Sequence, residues 1–253
     1  MKIAKKTLET IEKQFALDCN LGEAEEIVPG KVFLSKTKKL PGARIVAKTD
    51  LFFRAIIFIG KAYIMADETI FEGCKEIFKN KTSPEWFCEF SNLRFIDCML
   101  SEYGREIADT HIYFLPDEDA KVITPDRPLK WYDETELEVF RENNPYTHAM
   151  CFSPTQPDVI AVAAMDEDNI KGIAGASRDG KYVHQIGIDV NEQYQGDGLA
   201  VFLTTILKQY LLEQGTLPFY GTSESHAISR SVAIKSGFLP AWAEIYVKQK
   251  TSD

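Results

Sequence analysis

A chain of 253 residues, 45% hydrophobic and 26% charged, is long enough to bury a large core and too ordinary in composition for extensive disorder. Its formal net charge of −9 argues against a protein that coats nucleic acid, and most of the acidic excess falls after residue 121. The longest apolar run, residues 55–59 between Arg54 and Lys61, is far short of a membrane span, and Lys2, Lys5, Lys6 and Glu9 interrupt any secretory signal. No membrane partner and a cytoplasmic location are therefore expected. Cys19, Cys74, Cys88, Cys98 and Cys151 are odd in number and show no C-x-x-C spacing, so they read as free thiols and no metal site is expected.

In chain order, Leu8, Ile11 and Phe15 fall on one face of a first helix. Residues 55–59 and 62–65 read as a hairpin about Gly60-Lys61. Asp67 is the expected N-cap of a helix over Glu68–Lys79, and Ser91 that of a helix over Asn92–Tyr103, closed by Gly104. Trp86, Phe87, Phe90, Leu93 and Phe95 are expected in the core. Residues 105–115 alternate as a strand. The stretch from Pro116 to Pro128 is acidic, proline-bearing and without apolar periodicity, and reads as a linker. It predicts two domains, an N-terminal α/β domain over 1–120 and a second over 121–253.

The second half is more regular. Residues 159–165, 170–177 and 182–190 predict an antiparallel meander, with Asp179-Gly180 expected as a two-residue hairpin turn. Leu199, Phe202, Leu203, Ile206, Leu207, Tyr210 and Leu211 mark one buried helical face, ended by Gly215. A strand at 217–220 then follows a helical crossover and is expected to pair in parallel with the strand before the helix. A helix at 227–235 and a strand near 242–247 complete the order.

Gln195-Gly196-Asp197-Gly198-Leu199-Ala200 stands where a strand gives way to that long helix. Glycine there lets the backbone approach a ligand closely, and amides at a helix start favour an anion, so the loop reads as a phosphate seat. The loop resembles the Gln/Arg-x-x-Gly-x-Gly/Ala signature of the GNAT superfamily of N-acetyltransferases, with Gln195, Gly198 and Ala200 in the matching places. The segment from His226 to Gly237-Phe238 resembles the family's later helix. Gln-Ile-Gly-Ile-Asp-Val at 185–190 and Pro-Phe-Tyr-Gly-Thr at 218–222 resemble a bacterial GNAT branch with an additional N-terminal region. The likeness is specific over about 157–248.

The resemblance implies an α/β (α+β) GNAT acyl-CoA N-acyltransferase fold with a mixed, largely antiparallel sheet, acetyl-CoA as co-substrate, and a small-molecule or peptide amine as acceptor. It implies that Ile188, Asp189 and Val190 accompany the pantetheine arm, that Gln195, Gly196, Asp197, Gly198, Leu199 and Ala200 hold the pyrophosphate, and that His226 and Ser229 border the cofactor. Direct attack of the amine needs a base, and the leaving thiolate an acid. His184 is the first candidate base, on the strand that enters the loop, with Glu224 and His226 as alternatives. A partly exposed strand histidine and a helix-start residue are the bland readings of His184 and His226, and His111 and His148 read as structural.

The chain departs from the family pattern at three places. Asp197 stands where Lys or Arg is common, and a carboxylate ~4 Å from a phosphate costs about 1 kcal/mol even in water-like surroundings. His226 replaces the usual Asn. Ala233 replaces a tyrosine that protonates the thiolate in many members, leaving Ser229, Ser231, Tyr220 or water as substitutes. These departures motivate a second reading, a GNAT-fold module that holds acyl-CoA without turnover. Other chemistries fail on specifics: Val201 occupies the third glycine of a dinucleotide fingerprint, no histidine follows His226 to complete a hydrolase order, and no G-x-x-x-x-G-K-[ST] sequence is present. Composition and spacing leave the acceptor and the oligomeric state open.

Overall fold

The computed structural model describes residues 2–45 and 50–250. In chain order the elements are α1 (Lys5–Asp18), β1 (Glu25–Val28), β2 (Val32–Lys36), β3 (Asp50–Phe58), β4 (Lys61–Ala66), α2 (Glu68–Phe78), α3 (Phe90–Ser101), β5 (Arg105–Pro116), β6 (Leu129–Asp133), β7 (Asp158–Asp166), β8 (Asn169–Arg178), β9 (Val183–Val190), α4 (Leu199–Glu213), β10 (Leu217–Ser223), α5 (Ala227–Lys235) and β11 (Phe238–Gln249). Two compact units interleave in sequence. One takes Met1–Ile11, Phe114–Thr222 and His226–Pro240, the other Glu12–Tyr113, Ser223–Ser225 and Ala241–Asp253. The fold class is mixed α/β, and the second half has the expected order of antiparallel meander, helix, parallel strand, helix and strand. No helix among the described residues is long and apolar enough to cross a membrane.

The unit containing Glu12–Tyr113 holds strands in the order β1-β2-β4-β3-β11. β3 and β4 form the expected hairpin, with Phe58 opposite Lys61, and both turn residues, Ile59 and Gly60, have positive φ (43° and 70°) as this tight turn requires. Asp67 caps α2 by accepting the Thr69 N–H at 3.0 Å. α3 starts earlier than the sequence suggests: Ser91 lies inside its first turn, because Glu89 takes the cap position and its carbonyl accepts the Leu93 N–H at 2.9 Å. Of the aromatic set expected in the core, Phe87 is buried and Leu93 packs against the core, whereas Trp86, Phe90 and Phe95 are exposed. β1 and β2 carry no clear alternation and were not apparent in the sequence.

Four charged side chains lie at the centre of this unit. The Arg44 Nε donates to Asp18 Oδ2 at 2.5 Å and its Nη2 to Glu244 Oε2 at 3.1 Å, while Arg54 Nε donates to Glu244 Oε1 at 2.5 Å. Gln14 and the Trp242 indole complete the carboxylates, donating to Asp18 Oδ1 at 2.8 Å and Glu244 Oε2 at 3.1 Å. Burial opposes the Glu244 charge, but Arg44 and Arg54 outweigh it and hold its carboxyl below the usual range. Two cations and two anions thus neutralise one another away from water. Deleting one member leaves an uncompensated buried charge, so Glu244→Ala is expected to cost about 3–5 kcal/mol in urea unfolding.

The other unit orders its strands β6-β7-β8-β9-β10. β6 falls just after the proline-bearing stretch and pairs with β7, so the irregular segment ends at residue 128. β7 and β8 are joined by the tight turn, with Asp166 opposite Asn169 and Glu167 at φ 53°. The Asp179-Gly180 turn is corrected: β8 ends at Arg178 and β9 begins at Val183, with Arg178 opposite His184, so the connection runs from 179 to 182 and is longer than a two-residue turn. There the Asp179 carboxylate accepts from Ser177 Oγ at 2.6 Å and Gln156 Nε2 at 2.5 Å, and side-chain bonds replace the two-residue turn.

α4 covers one face of this sheet, burying Leu199, Leu203, Ile206, Leu207 and Leu211, with Phe202 and Tyr210 half-buried. On the opposite face, Tyr146, Ala149 and Met150 pack with Ala161, Ala163 and Ile173. That segment sits so close to the strands that glycine is required beneath it. A Cβ on Gly187 would lie 2.0 Å from the His148 carbonyl oxygen, and one on Gly175 would lie 2.3 Å from that of Ala149. Backbone presses on backbone here, so Gly187→Ala is expected to cost about 1–3 kcal/mol of stability, measured by urea unfolding, while Gly22→Ala, with open space around its Cβ position, serves as the neutral control.

Candidate functional site

β9 and β10 pair in parallel from Val183/Leu217 to Ile186/Tyr220, and no pairing between them continues past that rung among the described residues. β9 runs on to Val190, bonded to β8 through Gly187/Gly175, Ile188/Ala174, Asp189/Ile173 and Val190/Gly172. Residues 187–190 therefore keep a ladder on one side only. Backbone donors and acceptors on the β10 side are available to an extended partner.

That edge leads directly into the glycine loop. Asn191 anchors the turn, its N–H donating to Lys171 O at 3.0 Å and its side chain to Ile170 O at 2.5 Å. Gln195 Nε2 donates back to Val190 O at 3.2 Å. Gly196 and Gly198 have φ of 93° and 74°, with nothing within 4 Å of where a Cβ would stand, and Gly198 is the N-cap of α4. The first helical bond of α4 runs from the Phe202 N–H to Gly198 O at 3.0 Å. The amides from Gly196 to Val201 have no acceptor among the described residues. Ile188, Asp189, Val190, Gln195, Gly196, Gly198, Leu199 and Ala200 thus form one continuous stretch of backbone. Asp197 is exposed on the same loop, and the Leu199 side chain is buried beneath it.

Asp189 differs in character from its neighbours. Its Oδ2 accepts the N–H groups of His148 and Ala149, both at 2.8 Å, so the carboxylate faces the 146–150 segment. His184 lies on the opposite face, three residues before the open edge begins, between Arg178 and Pro218. Its Nδ1 is buried with no hydrogen-bond partner among the described residues. Burial, with help from Arg178, pulls its pKa from 6.5 down to about 4.

Tyr220 and Ser229 are brought together, their hydroxyls 2.9 Å apart. Tyr220 is buried and its ionisation is pushed up chiefly by that burial. His226 holds the N-cap position of α5 without a side-chain capping bond, and is exposed. Glu224 is exposed in the turn just after β10, in the 223–225 segment that belongs to the other unit. Ala233 is fully buried, and Ser231 stands on α5.

Two features escaped sequence reasoning. The first is the divergence of β10 from β9, which no residue type announces. The second is Lys208, whose Nζ donates to Ser236 O at 2.5 Å and Gly237 O at 3.1 Å and so ties α4 to the last turn of α5. Burial lowers its pKa to about 8. The helical spacing puts it on the side of α4 opposite the apolar face, so neither its burial nor its partners were readable. No cluster of three or more His, Cys, Asp or Glu side chains suited to a metal occurs among the described residues.

No family model matches this chain, and no curated protein matches it. Among solved structures it is similar to a GCN5-related N-acetyltransferase from Kribbella flavida, at 15% identity and TM-score 0.47, over 84% of this chain and 91% of that one. It is also similar to an acetyltransferase of the GNAT family from Colwellia psychrerythraea, at 12% identity and TM-score 0.42, over 64% of this chain and 63% of that one. A third likeness is to an aminoglycoside N-acetyltransferase in complex with CoA, at 20% identity and TM-score 0.33, over 45% of this chain and 92% of that one. Likenesses this distant leave the chemistry to be read from the chain's own geometry.

His184 makes one consequence measurable. An unfolded histidine binds its proton near pH 6.5, whereas the folded one resists until about pH 4, so the unfolded state holds more protons between these values. Stability from this group is present above pH 6.5 and lost as pH falls toward 4. The difference in urea midpoint between pH 7 and pH 4.5 is expected to shrink in His184→Leu.

Proposed function

We propose that this protein is an N-acetyltransferase that moves the acetyl group of acetyl-CoA to an amine by direct attack in a ternary complex. The observation that carries the reading is the one-sided ladder of Gly187–Val190 running into amides at 196–201 that have no acceptor. An extended, amide-bearing arm ending in a diphosphate complements both parts: the arm adds alongside β9 and the diphosphate meets the start of α4. Backbone N–H groups of β9 then face the thioester carbonyl and stabilise the charge that develops there. Gly196 and Gly198 leave the approach clear.

The Tyr220–Ser229 pair supports turnover over mere binding. It stands at the last paired rung before the opening and supplies a hydroxyl where Ala233 supplies none. Ser229 and Ala233 lie one turn apart on the same face of α5, so the strand residue Tyr220 brings its hydroxyl to the helix face from which the family's tyrosine is missing. A module that holds acyl-CoA without transfer is the second reading, favoured by the buried Ala233 and the exposed Asp197. A cytoplasmic location and the division at 120/121 into an N-terminal domain and an acetyltransferase domain belong to the same proposal.

Calorimetric titration with acetyl-CoA tests the reading. Binding to the wild type is expected, with affinity reduced at least tenfold in Gly198→Val, whose β-branched side chain is forced to a positive φ and crowds the loop. A folded wild type that binds no acetyl-CoA removes both readings. Binding without thiol release on any of a panel of primary amines leaves the non-catalytic module.

A further inference from the structure

His148 has no role in the chemistry described so far, yet its backbone is held on both sides, its N–H by Asp189 and its carbonyl against Gly187. Residues 146–150 close a single turn, the Met150 N–H donating to Tyr146 O at 2.9 Å, and Asn144 Nδ2 ties the end of the turn by donating to Met150 O at 2.7 Å. The turn crosses the strands in steps. The Ala149 carbonyl rests on Gly175 of β8, and the His148 carbonyl rests on Gly187 of the next strand, β9. Asp189 fixes the crossing by accepting both N–H groups. His148 is therefore the residue of the turn placed over β9 where the ladder toward β10 stops, and its side chain is exposed.

We infer that His148 presents its imidazole to the incoming amine and takes up its proton, with Asp189, Gly187 and Gly175 as positioning residues. The inference rests on the acetyltransferase reading. The amine nitrogen bonds to the thioester carbonyl carbon, the C–S bond breaks, the amine's proton passes to the imidazole, and the CoA thiolate leaves to be protonated from a hydroxyl or solvent. His184 is poorly suited to this task, being half-buried on the other face with its Nδ1 closed off from solvent. His148 needs no motif to be found, only the two glycines beneath its turn.

The test uses the full chain with two readouts. Imidazole carbon–proton NMR signals, assigned by single substitutions, are followed during titration with acetyl-CoA. The His148 signal is expected to move at saturation. Thiol release is then measured with lysinamide, spermidine and glycinamide as acceptors. His148→Ala is expected to bind acetyl-CoA within about twofold of wild type, to lose kcat/KM by about 100-fold or more, and to regain part of it with added imidazole. An unmoved His148 signal at saturating acetyl-CoA overturns the inference whether or not any acceptor turns over. So does full activity in His148→Ala. Failure of the folded wild type to bind acetyl-CoA at all removes the acetyltransferase reading first and this inference with it, and is distinguished by the calorimetric trace.

Discussion

Every main-chain N–H and C=O withdrawn from water needs a partner, and this chain withholds one side of a strand from that rule. Beyond Ile186 and Tyr220, β10 no longer answers β9. An exposed sheet edge normally invites unwanted pairing, and proteins blunt it with charge, proline or a covering segment. Here the exposed stretch is short, spans Gly187 to Val190, and ends at the amides that open α4. A row of strand donors and acceptors followed by a cluster of donors suits a molecule shaped as an extended arm with an anionic head. The location of the opening follows from where two strands part, and the residues along it need supply little beyond their backbones.

Glycine serves this site for two different reasons. Gly198 is needed for its conformation, with φ of 74° at the start of a helix. Gly175 and Gly187 are needed for space, since the 146–150 turn lies directly on them. The sequence announces the first kind, because a glycine between a strand and an amphipathic helix marks the turn that joins them. It hides the second kind, because the neighbour that forbids a Cβ lies far earlier in the chain, Ala149 for Gly175 and His148 for Gly187. The same asymmetry applies to Asp189, which the family resemblance assigns to the cofactor strand and which the structure shows bonded to two amides of that turn.

Periodic segments were legible wherever one face is buried and the other wet. α4 and the β7–β8–β9 meander fall within a residue or two of their expected places, since their patterns follow the geometry that buries them. The misses share a cause in tertiary context. Asp179-Gly180 looks like a tight turn until Ser177 and Gln156 are found holding the aspartate. Trp86, Phe90 and Phe95 look like core by residue type, yet they are exposed while Phe87 among them is buried. Tyr220 and Ser229 could be named one by one, but not as a pair, because a strand and a helix must first be folded to bring them together. Asp18, Arg44, Arg54 and Glu244 carry no sequence signal of burial, and their mutual neutralisation is what makes a buried location tolerable.

That neutralisation has a bearing on synthesis. Three of the four buried charges are encoded before residue 55, and the fourth, Glu244, follows Arg54 by 190 residues. While the nascent chain emerges, Arg44 and Arg54 have a single carboxylate of the set between them, and an arginine cannot shed its proton to ease the imbalance. β3 likewise waits for β11 as its neighbour. The unit whose strands are made first is therefore completed only after β6 to β10 of the other unit have left the ribosome, reversing the usual order in which the first-made part folds first.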